Sequence, residues 1–489
     1  MAPRNKTQLI TYPDSLGGNL KGLQQALEGP LSVAAEGGIH ILPPFPSSGD
    51  RGFAPLTYDE IDPRFGSWAD IERLAQHHDI ILDLMINHIS RRSVYAQDYM
   101  QHGDESPWAE LFINIEQSWP GGAITERDRE RMFLRREKPY SRYEVGPAKR
   151  PTCLWTTFGK EDPSEQLDLN IYSDPAHKLF EKALRRFAET GIKAVRLDAA
   201  AYIIKKPGTS CFFVEPDIYD YLGRLRSLAD SLGVLLLPEV HARKEQQYGL
   251  AQRGYWIYDF ILPFAILHAL RNATSGALLA YLRDRPVSQF TMLDCHDGIP
   301  VKPDLDGVFS SSTAASIAND CVRLGANLSR VLSPEYIDKD GFDVHQIRCS
   351  YYSALDCDDD AYIAARAIQF FVPGIPQVYY AGLLAERNRT ENLASAADGR
   401  TINRVDYTAE DIEQALQRPV VQRLLMLIQF RNTHNAFTGN CDFLDDEPDA
   451  VWIRWSAGSD YCELRIRLST RETLIIHSDD HGNKTLYAP

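Results

Sequence analysis

His177-Lys-Leu-Phe-Glu-Lys-Ala-Leu-Arg-Arg-Phe187 places apolar residues at 179, 180, 183, 184 and 187, and the chain then enters Ala194-Val-Arg-Leu197. The first spacing is that of one helix face, and the second is a short strand. The same unit recurs. Candidate strands are Gln8–Tyr12, Ile39–Leu42, Ile80–Ile86, Ala194–Leu197, Val234–Glu239, Trp256–Phe260, Phe290–Leu293 and Gln377–Tyr380. Their apolar runs are continuous rather than alternating, which is the mark of strands buried on both faces. Strands of this kind, separated by amphipathic stretches, predict an α/β fold, a (β/α)8 TIM barrel.

Such a barrel takes about 250 residues, so the 489-residue chain must carry insertions. Two gaps exceed a βα loop, Ile86 to Ala194 and Leu293 to Gln377. The expected organisation is a catalytic barrel over 1–88, 173–297 and 357–436 and an inserted subdomain at 89–172 after the third strand. A second inserted subdomain, 298–356, follows the seventh strand. Beyond 437 the pattern turns to short alternating strands (Ala450-Val-Trp-Ile-Arg-Trp, Tyr461-Cys-Glu-Leu-Arg-Ile-Arg-Leu, Thr473-Leu-Ile-Ile-His), which predicts a C-terminal all-β domain at 437–489.

Composition narrows the function classes. A chain 44% hydrophobic and 24% charged is neither disordered nor a small disulfide scaffold. Its net charge of −15 argues against nucleic acid and anionic membranes as partners. Met1–Thr7 is polar, so no signal peptide is expected. The longest apolar run, Phe260 to Leu270, is interrupted by Pro263 and His268 and is too short for a membrane helix. Eight scattered cysteines without a CxxC pair predict reduced thiols, a cytoplasmic location and no zinc site.

Barrel chemistry sits at the C-terminal ends of the strands. There the sequence offers Asn87-His88 after the third strand, Arg196-Leu-Asp198 at the fourth, Glu239-Val-His241 at the fifth and Asp294-Cys-His-Asp297 after the seventh. Carboxylates and histidines gathered on one rim suit glycosyl transfer. One carboxylate attacks the anomeric carbon, and a protonated one serves the leaving oxygen. Arg196, two residues before Asp198 on the same strand face, should keep it ionised. The apolar approach Leu235-Leu-Leu-Pro238 should favour a protonated Glu239. Pro238 removes a ladder donor from its strand.

Four segments, Asp83-Leu-Met-Ile-Asn87-His88, Arg196-Leu-Asp198, Glu239-Val-His241 and His296-Asp297, resemble the signature regions of the α-amylase superfamily, in that family's order. Longer phrases, among them Gln8-Leu-Ile-Thr-Tyr, His40-Ile-Leu-Pro-Pro-Phe, Tyr362-Ile-Ala-Ala-Arg-Ala, Pro376-Gln-Val-Tyr-Tyr and Ile402-Asn403-Arg404, resemble its sucrose phosphorylase group. The resemblance implies Asp198 as nucleophile, Glu239 as general acid/base and Asp297 as transition-state stabiliser. Arg196, His88 and His296 would orient the sugar, Asp50 and Arg404 would hold its far hydroxyls, and Phe53, Phe158 and Tyr202 would wall it. Gln166 would lie near the nucleophile. Cys295 departs from the Asn that many members carry before the last His-Asp pair. The group implies double displacement with inorganic phosphate as second substrate and neither a metal nor a cofactor. Pro303-Asp-Leu-Asp-Gly307 is too short for a calcium loop and reads as a turn.

Members of that group differ in the leaving group. Where sucrose-specific members carry an Arg-Pro-Arg-Pro-Gly-Leu-Pro-like phrase, this chain has Met132-Phe-Leu-Arg135-Arg136-Glu-Lys138-Pro-Tyr140; where they carry Asp-Leu-Tyr-Gln, it has Asp343-Val-His345-Gln346. Arg135 with His345 resembles the phosphate clamp of members that act on sucrose 6′-phosphate, since guanidinium matches phosphate in shape and charge. Arg136 is a further candidate there. Sucrose and glucosylglycerol remain the alternative donors, and α-glucoside hydrolysis or transglucosylation the alternative reactions. Arg127, Arg129 and Arg131, interleaved with Asp128 and Glu130, read as a solvated run with local ion pairs. Residues 127–143 nevertheless carry a net charge of +4 within an acidic chain.

Overall fold

A computed structural model describes residues 2–389, 399–444, 447–478, 484–487 and 489, so parts of the expected C-terminal domain lie outside the described residues. The expected strands all form within two residues of their expected bounds. They are β1 (Gln8–Thr11), β2 (Gly38–Ile41), β3 (Ile80–Met85), β4 (Ala194–Asp198), β5 (Leu235–Pro238), β6 (Ile257–Asp259), β7 (Gln289–Thr291) and β8 (Ile375–Tyr379). Their order, β6-β7-β8-β1-β2-β3-β4-β5, is that of a (β/α)8 barrel. Every residue in them is buried except Leu235, which is why their sequences do not alternate. The chain divides into two compact units, Ile41–Ala242 with Val331–Asp343, and Ala2–His40 with Arg243–Arg330 and Val344–Pro489.

In the first unit β3 pairs parallel with β4 from Ile81↔Ala194 to Met85↔Asp198, and β4 with β5 from Ala194↔Leu235 to Leu197↔Pro238. This register sets Asp83 beside Arg196. The two-residue period puts Arg196 and Asp198 on one face. Pro238 leaves no gap in the ladder, because the next amide, Glu239 N–H, donates to Leu197 O at 3.0 Å. The helix between β3 and β4 spans Asp174–Glu189; Ser173 caps its N-terminus, and Leu179, Phe180, Ala183, Leu184 and Phe187 are its buried stripe, as the spacing predicts. The stretch 89–172 is more regular than its polar sequence suggests. Tyr140–Val145 and Arg150–Trp155 form an antiparallel hairpin in which Ser141, Tyr143 and Val145 are buried and Arg142 and Glu144 exposed. Ile113, Ile115, Trp119, Met132, Trp155 and Cys211 form its small core.

In the second unit β6, β7, β8 and β1 pair in parallel. Ile299–Pro300, Val344–Arg348 and Asn327–Arg330 make a small antiparallel sheet, accompanied by the helix Ser311–Arg323. Residues 302–308 are a turn. Its two acids are engaged by protein groups, Asp304 by Gln247 Nε2 (2.9 Å) and Asp306 by Lys302 Nζ (3.0 Å). The C-terminal strands Asn440–Leu444, Ala450–Ala457, Asp460–Arg467, Thr473–Ser478 and Lys484–Tyr487 form a five-stranded antiparallel meander. It is tied to the helix Asp359–Phe371 by a 2.6 Å bond from Trp455 Nε1 to Phe371 O. Among the described residues, no helix is long and apolar enough to cross a membrane.

Candidate active site

The first unit gathers its strand-end carboxylates around one guanidinium. Arg196, 3% exposed, contacts Asp83 and Asp198 through Nη1 and Glu239 through Nη2; the Asp198 contact is 2.9 Å and the Glu239 contact 3.3 Å. Asp83 is fully buried in mid-strand, so it shares the cation without reaching substrate space. Asp198 and Glu239 are slightly more open, each at 8%. A cation shared by carboxylates offsets their mutual repulsion and holds them close. Glu239 also accepts from the Ala199 amide at 2.8 Å and lies 3.3 Å from His241 Nε2. The carboxyl group is thus surrounded by polar partners, unlike the apolar setting expected from Leu235–Leu237. Ala199 reaches this position with φ of 52°, left-handed for a residue with a Cβ.

A wall of rings stands beside these acids. The Phe53 ring lies 5.6 Å from the Arg196 guanidinium, and its carbonyl accepts from Gln166 Nε2 (3.1 Å) and meets His88 Nε2 (2.9 Å). His88, Phe158 and Tyr202 follow edge to face, with centroids 5.4 and 5.0 Å apart. Burial lowers the His88 pKa, partly offset by Asp168, so the ring is neutral near pH 7. Asp168 is itself held by Lys205 Nζ at 2.8 Å, a buried pair not anticipated from the sequence. Asp50 sits on a turn whose residues 50, 51 and 52 all have positive φ. At Gly52 a Cβ would come 2.6 Å from Pro43 O, so only glycine fits.

The loop after Met132 presents the two neighbouring arginines differently. Arg135 is partly buried, and its Nη1 is enclosed without a hydrogen-bond partner. Arg136 is occupied by protein groups. It donates to Thr156 Oγ1 (3.0 Å), Ser141 Oγ (3.3 Å), Phe158 O (3.4 Å) and Glu161 O (2.7 Å), so it braces the Phe158 segment. Arg127 and Arg131 are exposed, as a solvated run would be, but Arg129 is partly buried and held by Glu126 (2.9 Å) and Glu137 O (3.0 Å) on and beside the short helix Glu126–Arg131. Asp343 accepts the Val331 amide through its carbonyl at 2.8 Å.

The second unit carries the remaining candidates. Asp297 Oδ1 faces Arg400 Nη1 at 3.0 Å and Arg404 Nη2 at 3.5 Å, and its Oδ2 lies 3.6 Å from His296 Nε2. Arg404 Nε donates to His296 O at 2.8 Å, and its guanidinium lies 5.7 Å from the Tyr12 ring. Arg400 was not singled out from the sequence; the only signal was its place in the Gly399–Asn403 turn just before Arg404. Cys295 accepts the Asp297 amide on its sulfur at 3.4 Å, a turn-holding contact that an Asn side chain can equally make. His345 and Gln346 are buried on the strand Val344–Arg348, and His345 Nδ1 meets Lys302 O at 2.5 Å.

Known proteins resemble this chain over its full length. Residues 5–277 match the family described as alpha amylase, catalytic domain. The chain is 53% identical over 487 residues, all of both chains, to sucrose 6(F)-phosphate phosphorylase of Thermoanaerobacterium thermosaccharolyticum. It is 39% identical over 486 residues, 99% of each chain, to glucosylglycerol phosphorylase of Marinobacter adhaerens. The crystal structure of sucrose 6F-phosphate phosphorylase from Thermoanaerobacter thermosaccharolyticum matches with a TM-score of 0.98 at 52% identity, over 100% of this chain and 99% of that one. With its barrel order and strand-end acids, the chain belongs to the α-amylase family and, within it, to the group of these glucoside phosphorylases.

Proposed function

We propose that the chain is a retaining glucoside phosphorylase that converts sucrose 6′-phosphate and inorganic phosphate reversibly to α-glucose 1-phosphate and fructose 6-phosphate. In this reading Asp198 attacks the anomeric carbon while Glu239 gives its proton to the departing fructosyl oxygen. The glycosidic bond breaks and a β-glucosyl ester of Asp198 forms. Phosphate then attacks the same carbon and passes its proton to Glu239, and the ester bond to Asp198 breaks. Two inversions give net retention. Both carboxylates rest on one guanidinium, which suits the short separation of retaining enzymes, where no water needs room between them. Arg196 orients the nucleophile. Asp297, with His296 and Arg404, has the role of binding the glucosyl ring and stabilising its oxocarbenium-like transition state. The eight free thiols suit a cytoplasmic enzyme.

The observation that carries the choice of donor is the enclosed, unpartnered Nη1 of Arg135. A buried donor of this kind costs stability until an acceptor meets it, and a sugar phosphate supplies one with the right charge. The family resemblance names His345 as the second member of the phosphate clamp. The relative at 53% identity carries the name of that donor. The test is product analysis. The enzyme is incubated with phosphate and sucrose 6′-phosphate, sucrose or glucosylglycerol, and release of glucose 1-phosphate is followed. Sucrose 6′-phosphate should react fastest. Faster turnover of either alternative refutes the donor assignment, and free glucose as main product in the presence of phosphate refutes phosphorolysis.

A further inference from the structure

Arg135 can select a phosphorylated leaving group only if the backbone that carries it is fixed, and the structure shows how. Ser333 is fully buried in the segment Val331–Asp343, nearly 200 residues away in sequence. Its single hydroxyl accepts from the Leu134 amide at 2.6 Å and donates to Met132 O at 2.7 Å. One side chain thus occupies both the donor and the acceptor that flank Phe133. Tyr336, from the same segment, stands edge-on to the Phe133 ring with centroids 4.5 Å apart. Phe133 stacks on Phe212 at 4.2 Å, and its amide donates to Ser210 O at 2.9 Å. The segment is closed on itself by the bond from Val331 N to Asp343 O, so Ser333 and Tyr336 project from a loop with a tied neck.

We propose that Ser333 and Tyr336 are positioning residues for the acceptor. They latch the 331–343 loop onto Met132–Leu134 and so fix the point from which Arg135 extends. The proposal rests on the donor assignment above. The physical logic is entropic as well as enthalpic: a long arginine side chain gains most from a ligand when its own backbone is already ordered. A hydroxyl that serves two main-chain groups costs less entropy than two separate side chains would. The ring contacts then oppose rotation of the loop about those two bonds.

The latch is tested with Ser333→Ala and Tyr336→Ala, each alone and combined with Arg135→Ala. Two donors are compared, sucrose 6′-phosphate and α-glucosyl fluoride, whose leaving group carries no phosphate. Removing the hydroxyl should raise KM for sucrose 6′-phosphate about fivefold, the worth of one ordinary hydrogen bond, and should leave kcat on the fluoride within about twofold. Ser333→Ala should add little to Arg135→Ala, because it acts through that residue. Equal losses on the two donors, or additive losses in the double variant, overturn the latch. So does an unchanged KM in both single variants. If Ser333→Ala does not fold, Tyr336→Ala is scored by the same criteria, and a parallel loss there on both donors also overturns it. Failure of the donor assignment is seen separately, in the unmodified enzyme, as preference for sucrose or glucosylglycerol.

Discussion

Arg135→Ala isolates the element on which the proposed donor choice depends. Arg135 Nη1 is enclosed and has no hydrogen-bond partner, so the substitution removes no observed internal hydrogen bond at that atom. A phosphate oxygen meeting it makes a charge-assisted bond worth about 1.5–3 kcal/mol. That converts to about 10- to 150-fold in kcat/KM. Under the proposed double displacement the reaction is ping-pong, so kcat/KM for the donor covers only binding and glucosyl transfer to Asp198 and is free of the later phosphate attack. Initial rates of glucose 1-phosphate release are measured against sucrose 6′-phosphate and against sucrose at fixed phosphate. The first should lose at least about tenfold and the second stay within about threefold, since sucrose presents no anion to that nitrogen. An equal fall on both donors refutes the argument and makes Arg135 a structural residue.

Asp198→Asn should abolish turnover, because an amide cannot form the glucosyl ester; a competent rate measured on purified, folded protein would remove Asp198 from the nucleophile's role. Acid should destabilise the fold through His88. Its folded pKa lies below its ordinary value of about 6.5, so below that pH the unfolded chain binds the extra proton and stability falls as pH drops, by at most about 1.4 kcal/mol per unit for one site. His88→Gln should flatten that part of a plot of unfolding free energy against pH, and an unchanged slope would show that other groups set it. Asp294→Asn strips the fully buried Arg366 of a carboxylate that meets it at 2.9 and 3.0 Å. Denaturant unfolding should show a loss of about 3–5 kcal/mol, and a loss under about 1 kcal/mol would mean that Tyr362 and Gln369 satisfy the guanidinium by themselves.

The barrel and its candidate catalytic positions were legible in the linear sequence because each rests on a local rule. Strands buried on both faces must be apolar without alternation, helices between them must carry a stripe, and barrel chemistry falls at strand ends. Asp198, Glu239 and Asp297 stood out on that basis, and the α-amylase resemblance added their roles. The hairpin at 140–155 was also locally encoded, with Ser141, Tyr143 and Val145 alternating with Arg142 and Glu144, but polar neighbours masked the pattern. What no local rule contains is the pairing of groups distant in the chain. That Asp83 shares Arg196 depends on the register between β3 and β4. That Lys205 neutralises Asp168, that Arg400 faces Asp297, that Arg136 braces Phe158 while Arg135 keeps a free nitrogen, and that Ser333 fastens Met132–Leu134 are outcomes of chain packing. Periodicity follows from which face is buried and is written residue by residue, whereas hydrogen-bond partners follow from where two remote segments meet. The scaffold and the candidate carboxylates are thus encoded locally, whereas the charges that support them, and the donor atoms left for a ligand, are set by how remote segments pack.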